Sequence, residues 1–227
     1  MNYTYFFINL GTIIIPLLFS FHPKLQFYKK WKSTVISIIL VAIPFLIWDV
    51  LFTRMGIWGF NPIHLSNFYF VGLPIEEWMF FITIPYACLF TYHSLKQLIP
   101  PFKFPYTGIL IAILLALITI VGLLCFDKYY TFTTFISLFF FLMYFHFKLN
   151  LDWLNRFYLS AIILVVPFLV VNGILTGTGI EHEVVWYNSN ENMDIRLLTI
   201  PIEDFAYGFL LLLLNTFLFE KFKWLNQ

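Results

Sequence analysis

The chain has 227 residues, of which 61% are hydrophobic, 22% aromatic and only 11% charged, and its mean hydropathy is +0.85. That composition excludes an ordinary soluble domain and reads as a polytopic membrane protein. The formal net charge of +1 gives no basic surface for nucleic acid, because the Lys and Arg residues are spread as topology signals rather than clustered.

One crossing of a bilayer needs roughly 17–25 mostly apolar residues. Stretches of that kind run, in chain order, over Tyr5–Phe21, Ser33–Phe52, Leu73–Leu95, Tyr106–Phe126, Thr131–Phe147, Tyr158–Thr176 and Thr199–Phe219. The expected fold is therefore an all-α membrane protein with about seven transmembrane helices. The first stretch has no basic residue before it and no small-residue cleavage pattern, while Lys24, Lys29, Lys30 and Lys32 follow it. It is expected to be a retained helix rather than a leader.

Charge sets the orientation. Lys24 to Lys32, Lys96, Lys103, Lys148, Arg156, Lys221 and Lys223 fall on one side of a seven-span chain, and Arg54, Lys128 and Arg196 on the other. The positive-inside rule then predicts a multi-pass protein of the cell membrane with its N-terminus outside and its C-terminus in the cytoplasm. Cys88 and Cys125 lie in separate spans with no Cys/His cluster, so neither a disulfide nor a metal site is expected. His93 and His146, near cytoplasmic span ends, read as interfacial.

The halves of the chain repeat. Pro44-Phe45-Leu46, Thr53 and Gly56-Ile57 match Pro167-Phe168-Leu169, Thr176 and Gly179-Ile180 at a constant offset, which sets Asp49 opposite Asn172. After four extra residues in the second loop, Pro74-Ile75-Glu76-Glu77 matches Pro201-Ile202-Glu203-Asp204. The expected organisation is a three-helix repeat over 1–97, a linker helix over 98–127 and a second three-helix repeat over 128–227. A single linker span lets both repeats enter the membrane the same way, so they are parallel and related by an axis along the membrane normal.

Proline suits a helix start, and acids just after it meet the positive end of the macrodipole. That accounts for one such motif, but two motifs with paired acids call for more. Consecutive helical residues point about 100° apart, so one acid of each pair faces a common cavity while its neighbour pairs elsewhere, with Arg54, Arg196, His64 or His182 in reach. Two carboxyls in a poorly hydrated site do not both ionise, which sets a proton donor beside a proton acceptor. Trp78, Phe80, Phe81, Phe205 and Tyr207 follow the motifs closely, and aromatic faces stabilise a carbocation that such an acid generates. Packing between helices is the plain alternative for these rings. Asp49, deep in the second span, is either a supporting acid or a hydrogen-bond partner of a neighbouring helix.

Paired Pro-Ile-Glu-Glu and Pro-Ile-Glu-Asp motifs, each opening the last helix of a three-helix unit, resemble the PxE(E/D) motifs of the heterodimeric bacterial and fungal type of membrane lycopene cyclase. The likeness runs over almost the whole chain and is to the form in which both halves are fused. It implies that Glu76, Glu77, Glu203 and Asp204 are the catalytic acids, that Trp78, Phe80, Phe81, Phe205 and Tyr207 bind substrate, and that Asp49, Arg54, Asn172 and Arg196 support them. It implies an isomerase (intramolecular lyase) that turns the linear ψ-ends of lycopene, or a related linear carotenoid, into β-rings without net redox change. No cofactor is expected, membrane lipid surrounds the protein, and other enzymes of carotenoid synthesis are its expected neighbours. A flavoprotein cyclase would carry GxGxxG after a strand, and the chain has none.

Four other readings compete with this one. A prenyltransferase needs acids three or four residues apart with magnesium and basic residues for a diphosphate, whereas these acids are adjacent. An EExxxR intramembrane protease needs an arginine where Phe81 stands. A small transporter is compatible with parallel repeats and buried acids, and a hydratase-like carotenoid enzyme would add water to the same cation.

Overall fold

The computed structural model describes residues 3–100, 107–149 and 152–226. Lys103 and Tyr106, assigned above to the linker region, fall outside them. Seven α-helices are present among the described residues: α1 (Thr4–Phe19), α2 (Trp31–Met55), α3 (Ile75–Leu98), α4 (Thr107–Leu124), α5 (Tyr129–Met143), α6 (Leu154–Leu175) and α7 (Ile202–Lys221). Beyond Met143, α5 continues as a wider π-helical turn over Tyr144–Lys148.

Five of these helices, α2, α4, α5, α6 and α7, are long and apolar enough to cross a membrane. At 1.5 Å per residue the 16 residues of α1 span about 24 Å. α3 has ample length, 24 residues, but carries Glu76 and Glu77 in its first turn and Lys96 in its last. Its polarity reflects its place at the centre of the bundle rather than facing lipid. Pro44 and Pro167 sit inside α2 and α6, where packed neighbours let a membrane helix tolerate the missing N–H.

The packing follows the repeat. α1 lies on α3 as α5 lies on α7, and α3 and α7 meet at the centre. The middle helix of each repeat crosses over: α2 packs more closely on α7 than on α3, and α6 more closely on α3 than on α7. The halves are thereby interlocked rather than side by side. α4 packs chiefly on α5 and turns Leu110, Leu117, Leu123 and Leu124 outward.

Among apolar tails no water drives helices together, so buried polar bonds and close packing hold them. Asn9 of α1 illustrates this, donating to the Glu76 carbonyl at 3.0 Å and accepting from the Thr83 hydroxyl at 2.6 Å. At the basic end of the bundle, Glu220 takes a 2.5 Å ion pair from Lys96 and a 2.7 Å hydrogen bond from Tyr92. There Arg156 donates to the carbonyls of Leu95 and Ile99 at the end of α3.

At the opposite end the inter-helix loops form a cover. Strand β1 (Trp58–Phe60) pairs antiparallel with β4 (Val185–Tyr187) of the other half, with Gly59 opposite Trp186. A Cβ on Gly59 would stand 2.3 Å from the Trp186 ring, so this crossing needs glycine. The flanking bonds mirror each other: Asn61 N–H donates to the Val184 carbonyl at 2.8 Å, and Asn188 N–H to Ile57 at 2.9 Å. Each loop then makes a small hairpin, β2 (Tyr69–Phe70) with β3 (Leu73–Pro74), and β5 (Arg196–Leu197) with β6 (Ile200–Pro201). The left-handed residues also correspond, Asn67 with Asp194 and Val71 with Leu198. Asn and Asp take that conformation readily, whereas for Val71 and Leu198 it stores roughly 1–3 kcal/mol of strain that the surrounding hairpin must hold.

Candidate active site

The hairpins aim the acids. In each, the residue after the proline is tied back to the loop, Ile75 N–H to Phe68 at 2.8 Å and Ile202 N–H to Ile195 at 3.0 Å. Pro74 and Pro201 are extended N-cap residues, one step earlier than the first helical turn in which the sequence pattern set them. The first acid of each motif turns back beneath its own loop. Glu76 Oε1 accepts from Ser66 N–H at 2.7 Å. Glu203 Oε1 accepts from Met193 N–H at 2.8 Å and from the Thr131 hydroxyl at 2.6 Å. Both side chains are fully buried.

The second acids, one helical step on, point into the bundle. Tyr5 of α1 donates to Glu77 Oε2 at 2.5 Å, and Tyr130 of α5, its counterpart, donates to Asp204 Oδ1 at 2.5 Å. Around this shared plan the halves differ. Beside Glu77 in the same cavity is Asp49 of α2, whose Oδ1 accepts from Trp58 Nε1 at 2.5 Å. Beside Asp204 is Tyr187 of β4, which donates to Oδ2 at 2.9 Å. Burial, then the charge of Asp204, push the Tyr187 phenol well above its ordinary range, which keeps it a donor.

Glu77, Asp204 and Asp49 line one cavity of about 220 Å³. Its wall at the acidic end is aromatic: Tyr5, Trp58, Phe60, Phe80, Tyr130, Tyr187 and Tyr207. It then continues between α3, α6 and α7 past Ile84, Ala87 and Cys88, Ala161 and Leu164, and Gly208 and Leu212. From Glu77 to Cys88 is about 16 Å at the helical rise, so the space is a slot along the helices with its polar groups at one end. Gly208 keeps it open, since a Cβ there would come 3.2 Å from the Phe168 ring.

A family model described as lycopene cyclase matches residues 2–95 and 127–222, one segment over each half. The chain belongs to the lycopene cyclase family. Comparison with curated proteins and with solved structures gives no match. As a carotenoid cyclase this is an enzyme, and the unmatched stretch between the two segments carries the linker α4.

In this cyclase the residues singled out from the sequence separate into two groups. Glu77, Asp204, Phe80, Phe205, Tyr207, Asp49 and Asn172 all line the cavity. Glu76 and Glu203 do not, being taken up by the loops. Trp78 does not either: its Nε1 donates to the Phe70 carbonyl at 3.1 Å and its ring packs on Phe70. Phe81 is buried behind the wall against Phe45 and Phe80.

The expected cationic partners of the acids are also displaced. Arg54 is exposed and makes no ion pair among the described residues. Arg196 donates to the Thr199 carbonyl at 2.8 Å and lies over the Tyr187 ring, acting on Asp204 only through space. His64 bonds Thr4 and the His182 carbonyl. Phenols, an indole and backbone N–H groups take the places assigned to cations, since a charged partner would itself need solvation at this depth. His93 is buried and bonds the Leu25 carbonyl at 2.8 Å, tying the loop between α1 and α2 to α3 rather than facing the interface.

Tyr5, Tyr130, Trp58, Phe60 and Tyr187 were missed from the sequence as site residues. Tyr5 and Tyr130 each stand second in the first helix of their half, but they lie 125 residues apart (130 − 5) and fit neither repeat offset, 123 (167 − 44) or 127 (201 − 74), so the register did not pair them. The loop aromatics gave only the signal of an interfacial belt.

Proposed function

We propose that this cyclase is a lycopene β-cyclase that works by acid and base alone, converting linear ψ-ends to β-rings. The observation that carries the reading is that Glu77 and Asp204, the second acids of both motifs, come from opposite repeats into one apolar, aromatic slot. The units 1–97 and 128–227 thus build one site jointly, with no described residue of the linker 98–127 in its wall.

A carboxyl protonates the terminal double bond of the polyene, the next double bond attacks the tertiary cation, and a carboxylate removes a ring proton. Proton gain and loss cancel, so the product is an isomer. The faces of Trp58, Phe80 and Tyr207 stabilise the cation electrostatically. The β1–β4 cover keeps water from capturing it as an alcohol. The slot beyond the acids takes the rod-like remainder of the polyene, which enters sideways from lipid. One chamber serves one end at a time, so a bicyclic product requires two binding events. With the basic end in the cytoplasm, ring closure takes place near the outer face of the membrane.

The test is pigment chromatography of lycopene-accumulating cells that express this chain alone. A mass-neutral shift to monocyclic or bicyclic carotene with β-rings is expected. Unchanged lycopene in cells that hold verified membrane protein would overturn the reading.

A further inference from the structure

The two halves of the site share one plan, and three of the matched positions at which they differ surround the second acids. Asp49 on α2 stands where α6 has Asn172, Trp58 where the second loop has Val185, and Phe60 where it has Tyr187. Glu77 therefore has a second carboxyl beside it and Asp204 has none. Two buried carboxyl groups side by side in one apolar cavity hold a proton between them, since two carboxylates offer only acceptors and repel. Trp58 binds Oδ1 of Asp49, while Oδ2 has the Thr53 hydroxyl near it but no donor in hydrogen-bond geometry among the described residues. A proton shared with Glu77 fills that lack. Asp204 has the opposite surroundings: Tyr130 donates to one of its oxygens and Tyr187 to the other. Donors on both oxygens favour the charged form.

Resting on the cyclisation reading above, we infer that Asp49 is a third acid of the reaction, holding with Glu77 the proton that starts ring closure, and that Asp204 is the base that ends it. The O–H bond of the pair breaks as a C–H bond forms at the terminal double bond, which leaves the pair negative. The inner double bond then closes the ring C–C bond. A ring C–H bond breaks, its electrons form the ring double bond, and the proton goes to Asp204. Between turnovers Asp204 gives up that proton to water and the pair takes one from water, which restores the resting enzyme with no redox partner or other co-reactant.

The experiment supplies lycopene to membranes carrying the full chain in heavy water and follows deuterium by mass spectrometry. The unaltered chain puts one deuterium into each ring closed. Asp49→Asn keeps an oxygen for Trp58 and the side-chain size but removes the acid. It is expected to slow ring formation about 100-fold or more and to return lycopene unlabelled, while Asp49→Glu recovers part of the rate.

Asp204→Asn is expected to stop normal rings yet still label, with deuterium in recovered linear substrate or in misclosed and hydroxylated products. Asp49→Asn at the unaltered rate would overturn the inference. So would Asp204→Asn with unlabelled substrate and no abnormal product, the arm that decides if Asp49→Asn fails to accumulate in the membrane. Absence of both ring and label from the unaltered chain would instead bring down the cyclase reading itself.

Discussion

Glu76 and Glu77 are neighbours in sequence with opposite surroundings, and Glu203 and Asp204 repeat the contrast in the other half. The first acid of each pair binds a loop N–H ten residues upstream, Ser66 or Met193. The second binds a tyrosine on the first helix of its repeat and faces the cavity. A turn of about 100° per residue is enough to divide them. Paired acids in a motif thus need not be paired in function: here one side of the helix start holds the cover and the other faces the cavity, where we propose the chemistry takes place.

The strongest way to sharpen this contrast is to neutralise the cavity side. Glu77→Gln and Asp204→Asn are each expected to lower ring formation by about 10²–10⁴-fold at unchanged membrane abundance, measured as product per unit of protein. Next come the phenols that position these acids. Tyr5→Phe and Tyr130→Phe each remove a hydrogen bond to a carboxyl, worth roughly 1.5–3 kcal/mol when one partner is charged, so a loss of about tenfold or more is expected in the same assay.

Filling the slot comes third. Gly208→Phe forces a ring against Phe168 and is expected to cut the rate about tenfold on full-length lycopene, with less effect on a shortened polyene, by the logic of a packed pocket. The smallest effect is expected on the loop side. Glu76→Gln and Glu203→Gln keep an oxygen for Ser66 and Met193 N–H. Each should leave activity within about threefold and lower thermal stability by about 1 kcal/mol. Activity loss there equal to that of the cavity acids would break the comparison.

The fold was legible because its signals are local. Apolar runs mark the spans, and Pro44 with Pro167 marks the repeat. Asp49 stood out as a charge inside an apolar run. The site was legible only in part, because helix phase rather than closeness in sequence decides membership. Trp78 adjoins Glu77 in the chain but turns out to Phe70, whereas Trp58 lies in another element and reaches Asp49. The β1–β4 pairing joins residues more than 120 apart, and strands of three residues carry no pattern long enough to announce it. The preference for phenols over arginines follows from burial, which a motif does not display.

The most direct measurement is a side-by-side rate of ring formation for Glu76→Gln and Glu77→Gln, at matched protein levels in lycopene-containing membranes. The account predicts a Glu76→Gln enzyme close to the unaltered one and a Glu77→Gln enzyme slower by about 100-fold or more. Equal losses, or the reverse order, would contradict it.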